Sequence, residues 1–177
     1  MKQQGWPVSS ENWTGHWHGF GPWIGSGQSH KEESRRRPGQ GARDPQTELF
    51  VRDKRPPMMT GHWLMKTDQV AGTWTSVEDA VAWLQERYEA APPMVRDDGK
   101  AAYVELPDKI RYALDVLPRG VDVTWCYWTQ TRMLASYSVV CCRNLAQHHL
   151  ACPSPPDAIS LDTRRNRSDV ASALAPA

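Results

Sequence analysis

VDVTWCYWTQTRMLASYSVVCC, residues 121–142, is the stretch that decides the fold. It is apolar and about the length of a membrane-spanning helix. Asp122, Arg132 and a run of Thr and Ser interrupt it, and one central Arg costs about 3 kcal/mol on insertion scales. Alternation gives the better reading. Val121, Val123, Trp125 and Tyr127 alternate with Asp122, Thr124, Cys126 and Trp128. On the return, Ala135, Tyr137, Val139 and Cys141 alternate with Leu134, Ser136, Ser138, Val140 and Cys142. A turn centred on Thr131 sets Trp125 opposite Tyr137, Val123 opposite Val139 and Thr124 opposite Ser138. The result is an antiparallel hairpin with one core face and one wetter face.

Two amphipathic helices precede the hairpin and can cover its core face. Thr75-Ser-Val-Glu78 reads as a capping box, with Thr75 as the cap. Val77, Val81, Leu84 and Tyr88 then follow at helical spacing until Pro92-Pro93. A second helix starts at Pro107, where a missing N–H costs nothing. It buries Ile110, Ala113, Leu114 and Leu117 and stops at Pro118-Arg-Gly120. Upstream, His62–Lys66 reads as a strand and Val70–Trp74 as another. The expected fold class is therefore α+β: two helices packed on a small antiparallel sheet that ends in a β-hairpin. The domain spans residues 58–145.

The flanks read differently. Residues 1–30 form a Trp/Gly/His-rich arm, with Trp6, Trp13, Trp17, Trp23 and Ile24 as candidates for contact with a protein partner or a membrane surface. The alternative is that these rings fold back over the hairpin. Thr14-Gly15-His16-Trp17 recurs as Thr60-Gly61-His62-Trp63, which suggests an N-terminal copy of the first strand. Residues 31–57 are charged and rich in Pro and Gly, the composition of a linker. Residues 146–177 read as a tail, disordered from about 153.

Composition excludes more than it assigns. The 177 residues carry 21 basic and 20 acidic side chains, net +1, so the chain lacks the strong field of a dedicated nucleic-acid binder. Arg35, Arg36 and Arg37 beside aromatic residues are the candidate nucleic-acid contacts under that alternative, diluted by Lys31, Glu32 and Glu33. Met1-Lys2-Gln3-Gln4 is not followed by an apolar signal region. The expected compartment is the cytoplasm, with membrane association as an option. Cys126, Cys141, Cys142 and Cys152 are expected as free thiols.

Chemistry-bearing motifs are few. There is no G-x-S-x-G elbow, H-E-x-x-H, P-loop or strand-linked G-x-G-x-x-G, so no enzyme and no cofactor are expected. Cys142, His148 and Cys152 are weak metal-ligand candidates without a C-x-x-C pair, and adjacent Cys141 and Cys142 should face opposite sides of a strand. His16 and His18 could chelate through alternate positions of an extended chain, but no third ligand stands at a defined spacing. His148 and Cys152 also make an H-x-x-x-C string resembling single-thioether haem attachment, which keeps a metal- or haem-binding enzyme as an alternative.

Fifteen Arg against six Lys, together with a small domain between ragged tails, resembles the accessory (kil and spread-type) proteins of actinobacterial conjugative plasmids. The resemblance rests on size and composition and assigns no residue a role. It implies a non-enzymatic accessory or regulatory protein in plasmid transfer, acting through protein or membrane-surface contact.

Overall fold

Residues Val123–Trp128 (β3) and Leu134–Cys142 (β4) form the hairpin that the alternation requires. Val123 pairs with Val139, Thr124 with Ser138 and Trp125 with Tyr137. The computed structural model describes residues 13–100 and 104–156. Trp6 and the tail from residue 157 lie outside them. The described fold is α+β, a four-stranded antiparallel sheet with helices. Among the described residues no helix is long and apolar enough to cross a membrane.

The sheet is larger than the hairpin. His16–Gly25 (β1) pairs antiparallel with β4 on one side and with Val70–Trp74 (β2) on the other, giving the order β2-β1-β4-β3. The stretch expected as a separate arm is thus a central strand. Glycines in it do not prevent extension; they make room. A Cβ on Gly19 would lie 2.7 Å from the Trp74 ring, so only glycine lets that ring lie across β1. The domain boundary at residue 58 is corrected accordingly.

Four α-helices are present among the described residues, not two. Gly27–His30 (α1) is a single turn, and Pro45–Arg52 (α2) falls inside the expected linker. The Asp44 side chain caps α2 through the Gln46 N–H at 2.8 Å, with Pro45 opening the helix. Its Phe50 is fully buried, a payload no free linker carries. Val77–Ala90 (α3) and Leu106–Val116 (α4) are the expected pair. The α3 cap is Ser76, not Thr75: its hydroxyl accepts from the Asp79 N–H at 3.2 Å and bonds Glu78 at 2.9 Å. On α4, Leu114 is exposed, while Ala113 and Val116 are buried and Leu117 follows them into the core.

Both sheet faces are covered over β4 and the first half of β1. Trp17, Val123, Trp125, Tyr137, Val139 and Cys141 meet Val81, Leu84, Tyr88 and Ala113 of α3 and α4. On the other face, Phe20 and Val140 meet Trp63 and Leu64. Thr124, Cys126 and Trp128 keep the expected wetter face on β3, while every residue of β4 is buried. Its hydroxyls are satisfied internally: Ser138 bonds Thr124 at 2.8 Å and accepts from Trp63 Nε1 at 3.1 Å. The cover is Thr60–Met65, a 3-10 helix where a strand was expected. The two TGHW copies therefore have different structures, one ending in β1 and the other helical.

Lys66 closes this cover. Its fully buried Nζ donates to the carbonyls of Phe50 (2.6 Å) and Asp53, at and beyond the C-terminal end of α2, and sits 4.2 Å from the Phe50 ring centroid. Burial pushes its pKa down from 10.5 to about 8. Between those values the unfolded chain holds more protons than the folded one, so this group's contribution to stability rises with pH. The buried thiols and tyrosines act in the opposite direction, and a Lys66→Met variant retains them. Urea midpoints measured from pH 7 to 10 should show wild type gaining on Lys66→Met above pH 8. A constant difference would remove the buried ammonium from this account.

Candidate metal centre

Period-two alternation puts His16 and His18 on one face of β1, and antiparallel pairing sets His16 beside Cys142 and His18 beside Val140. Cys142 shares their face; Cys141 goes to the helical side, as the alternation requires. The chain then leaves β4 and returns. Asn144 anchors the return, donating to both Asp122 carboxylate oxygens (2.9 and 2.8 Å) and accepting from the Ala146 and Gln147 N–H groups. Trp13 Nε1 donates to the Arg143 carbonyl at 3.0 Å, and Leu150 packs beside Phe20 and Trp63. Cys152 arrives at the two histidines.

Four donor atoms converge. His16 Nε2 lies 3.1 Å from His18 Nε2 and 3.2 Å from Cys152 Sγ, and Cys152 Sγ lies 3.4 Å from His18 Nε2. With Cys142 the ligand atoms all fall within 4.8 Å of one another. Zinc bond lengths of roughly 2.05 Å to nitrogen and 2.3 Å to sulfur set tetrahedral edges of about 3.3 Å (N···N), about 3.6 Å (N···S) and about 3.8 Å (S···S). The separations among His16, His18 and Cys152 sit within a few tenths of an ångström of those edges, and Cys142 Sγ completes the set within 4.8 Å of the other three.

The surroundings prepare the donors. Thr73 Oγ1 on β2 lies 2.8 Å from His18 Nδ1, and the same hydroxyl donates to the Ser154 carbonyl at 3.5 Å. With that hydrogen committed, Thr73 accepts from Nδ1–H, which leaves His18 Nε2 with its lone pair toward the cluster. Burial, then the neighbouring His16, pushes the His18 pKa down to about 4, so the imidazole is neutral, as a metal ligand must be. Burial, then Cys152, pushes the Cys142 thiol up to about 12, and a metal would have to displace its proton. Gly15 permits the close strand approach: a Cβ there would meet the Cys142 carbonyl oxygen at 2.4 Å.

Thr73→Val should lower zinc affinity about 10- to 100-fold, the usual cost of losing an outer-shell partner, and Thr73→Ser should restore it. Competition titration against a chromogenic chelator measures both. Equal affinities in the three proteins would mean that Thr73 does not orient the ligand.

Of the expected metal candidates, Cys142 and Cys152 are in the cluster and His148 is not. His148 is exposed, its ring 5.9 Å from that of His149. Spacing within one segment does not show the cluster, because its residues come from two strands and a loop. The expected contact residues are largely used inside the fold. Trp17 is buried and donates to the Leu117 carbonyl at 3.2 Å. Trp23 is buried with its ring 5.6 Å from that of His30, and Trp13 is half-buried. Ile24 alone of the four is exposed. In the Arg35–Arg37 run, Arg35 and Arg37 are exposed and Arg36 is half-buried. Arg36 donates to the Pro56 and His30 carbonyls (2.8 and 2.7 Å), and Arg37 pairs with Glu33 at 2.8 Å.

Comparison of the chain with protein-family profiles, with curated proteins and with solved structures finds no match.

Proposed function

We propose that this chain binds one zinc ion through His16 Nε2, His18 Nε2, Cys142 Sγ and Cys152 Sγ, and that the ion is structural. The convergence of four ligand atoms within 4.8 Å carries the reading. Two imidazoles and two thiolates suit zinc in a tetrahedral site, and four protein ligands leave no open position for a reacting water. The ion would tie the segment from Arg143 to Pro156 onto β1, joining parts of the chain 136 residues apart. On this reading the protein is a metal-closed α+β scaffold that acts by contact, in keeping with an accessory or regulatory role such as the plasmid-transfer resemblance implies.

Elemental analysis of the full chain, purified without added metal and again after zinc dialysis, tests the reading. One zinc per chain is expected, retained through gel filtration. A chain that holds no zinc after dialysis refutes it.

A further inference from the structure

Two of the four donors are thiols, and a two-electron oxidation can join them. Cys142 is 4 % exposed at the end of β4, and Cys152 is half-buried on an irregular segment. The other two cysteines are elsewhere: Cys141 lies among α3 and α4 on the opposite face, and exposed Cys126 pairs with Ser136, six residues up β4 from Cys142. Six residues of strand span about 20 Å. Zinc holds its two sulfurs as thiolates at neutral pH, the form that attacks peroxides.

We propose that the site is a peroxide-sensitive clasp: a hydroperoxide converts Cys142 and Cys152 into a disulfide, and the zinc leaves. The inference rests on the zinc reading above. The Cys152 thiolate, the more accessible sulfur, attacks the peroxide. The O–O bond breaks, an S–O bond forms, and the departing alkoxide takes one proton. The Cys142 thiolate then attacks the Cys152 sulfur, and the departing hydroxide takes a second proton to become water. In sum, two thiolates, one hydroperoxide and two protons give one disulfide, one alcohol and one water. The sulfurs lose two electrons, and the peroxide bond accepts them.

The geometry favours this pair. Two thiolates on one zinc stand about 3.8 Å apart, and a disulfide needs about 2.05 Å. The irregular segment carrying Cys152 can supply that shift, which a second strand position could not. Zinc left with two imidazoles alone binds far more weakly, and Cys152 exchanges its metal link to His16 and His18 of β1 for a covalent link to the end of β4.

Zinc-loaded full-length protein is treated with hydrogen peroxide while a chromogenic chelator reports free zinc, after the starting zinc content has been measured. Samples alkylated during the reaction are mapped by mass spectrometry. One zinc and two thiols per chain should be lost in step, with Cys142 and Cys152 recovered as cross-linked peptides. Reductant plus zinc should reverse the change, and Cys126→Ser should behave as wild type. Zinc retained while thiols oxidise overturns the clasp and leaves the metal reading standing, as does zinc loss with Cys152 oxidised to the sulfinic acid and no cross-link. A chain without zinc at the start overturns both.

Discussion

Cys142→Ser should leave the chain without zinc and lower its melting temperature by about 8–16 °C in zinc-supplemented buffer. Free zinc at a thousandfold its dissociation constant stabilises a folded protein by about 4 kcal/mol. In a chain of this size each kcal/mol moves the midpoint by about 2–4 °C. Serine is close to cysteine in volume but brings a hydroxyl into a buried position, so the part of the loss that chelator reproduces in wild type is the part that reports the metal. Chelator should bring wild type down toward the variant's midpoint and leave the variant where it was. Cys141→Ser supplies the contrast, since that side chain belongs to the helical core and its substitution should cost stability without costing zinc. A wild-type midpoint that ignores chelator removes the ion from the stability of this fold.

Trp63→Ala should destabilise the protein by about 3–5 kcal/mol, the range for emptying a buried aromatic site. Trp63 is 2 % exposed and lies parallel to Phe20, ring centroids 5.1 Å apart and planes 13° from each other. Its Nε1 is one of two partners of Ser138. Trp63→Phe keeps the stack and gives up that hydrogen bond; Thr124 still satisfies the serine, so the expected cost is nearer 1 kcal/mol. Trp128→Ala, at a ring 46 % exposed, should cost much less than Trp63→Ala. Urea unfolding gives all three. Near-equal losses at Trp63 and Trp128 would mean that the cover over the second sheet face is not part of the cooperative core.

The two tryptophans also show where the sequence is readable. Alternation between Val121 and Cys142 specifies the register of β3 on β4, because a slip of one residue would put Trp125 and Tyr137 on opposite faces of the sheet. The stripe of Val81, Leu84 and Tyr88 specifies the buried side of α3. The cap between Thr75 and Ser76 is not readable, since either hydroxyl suits the position and the end of β2 at Trp74 decides which one meets the helix. His62–Lys66 is ambiguous for a related reason. Five residues with a mostly apolar run fit a strand or a helical turn, and the need to lie across Phe20 and Val140 selects the turn.

For the candidate metal centre, the sequence by itself determines the halves. Residues two apart in extended chain share a face, which places His16 with His18, and adjacent residues oppose, which parts Cys142 from Cys141. Only the tertiary structure decides that these halves meet. The insertion of β1 beside β4 and the approach of Cys152 to His16 depend on contacts between residues more than a hundred positions apart, and the Asn144–Asp122 pair holds the return. Side-chain alternation is a property of neighbouring peptide units and is written locally; which strand lies beside which is set by the burial of the whole sheet, and no spacing within a single segment encodes it.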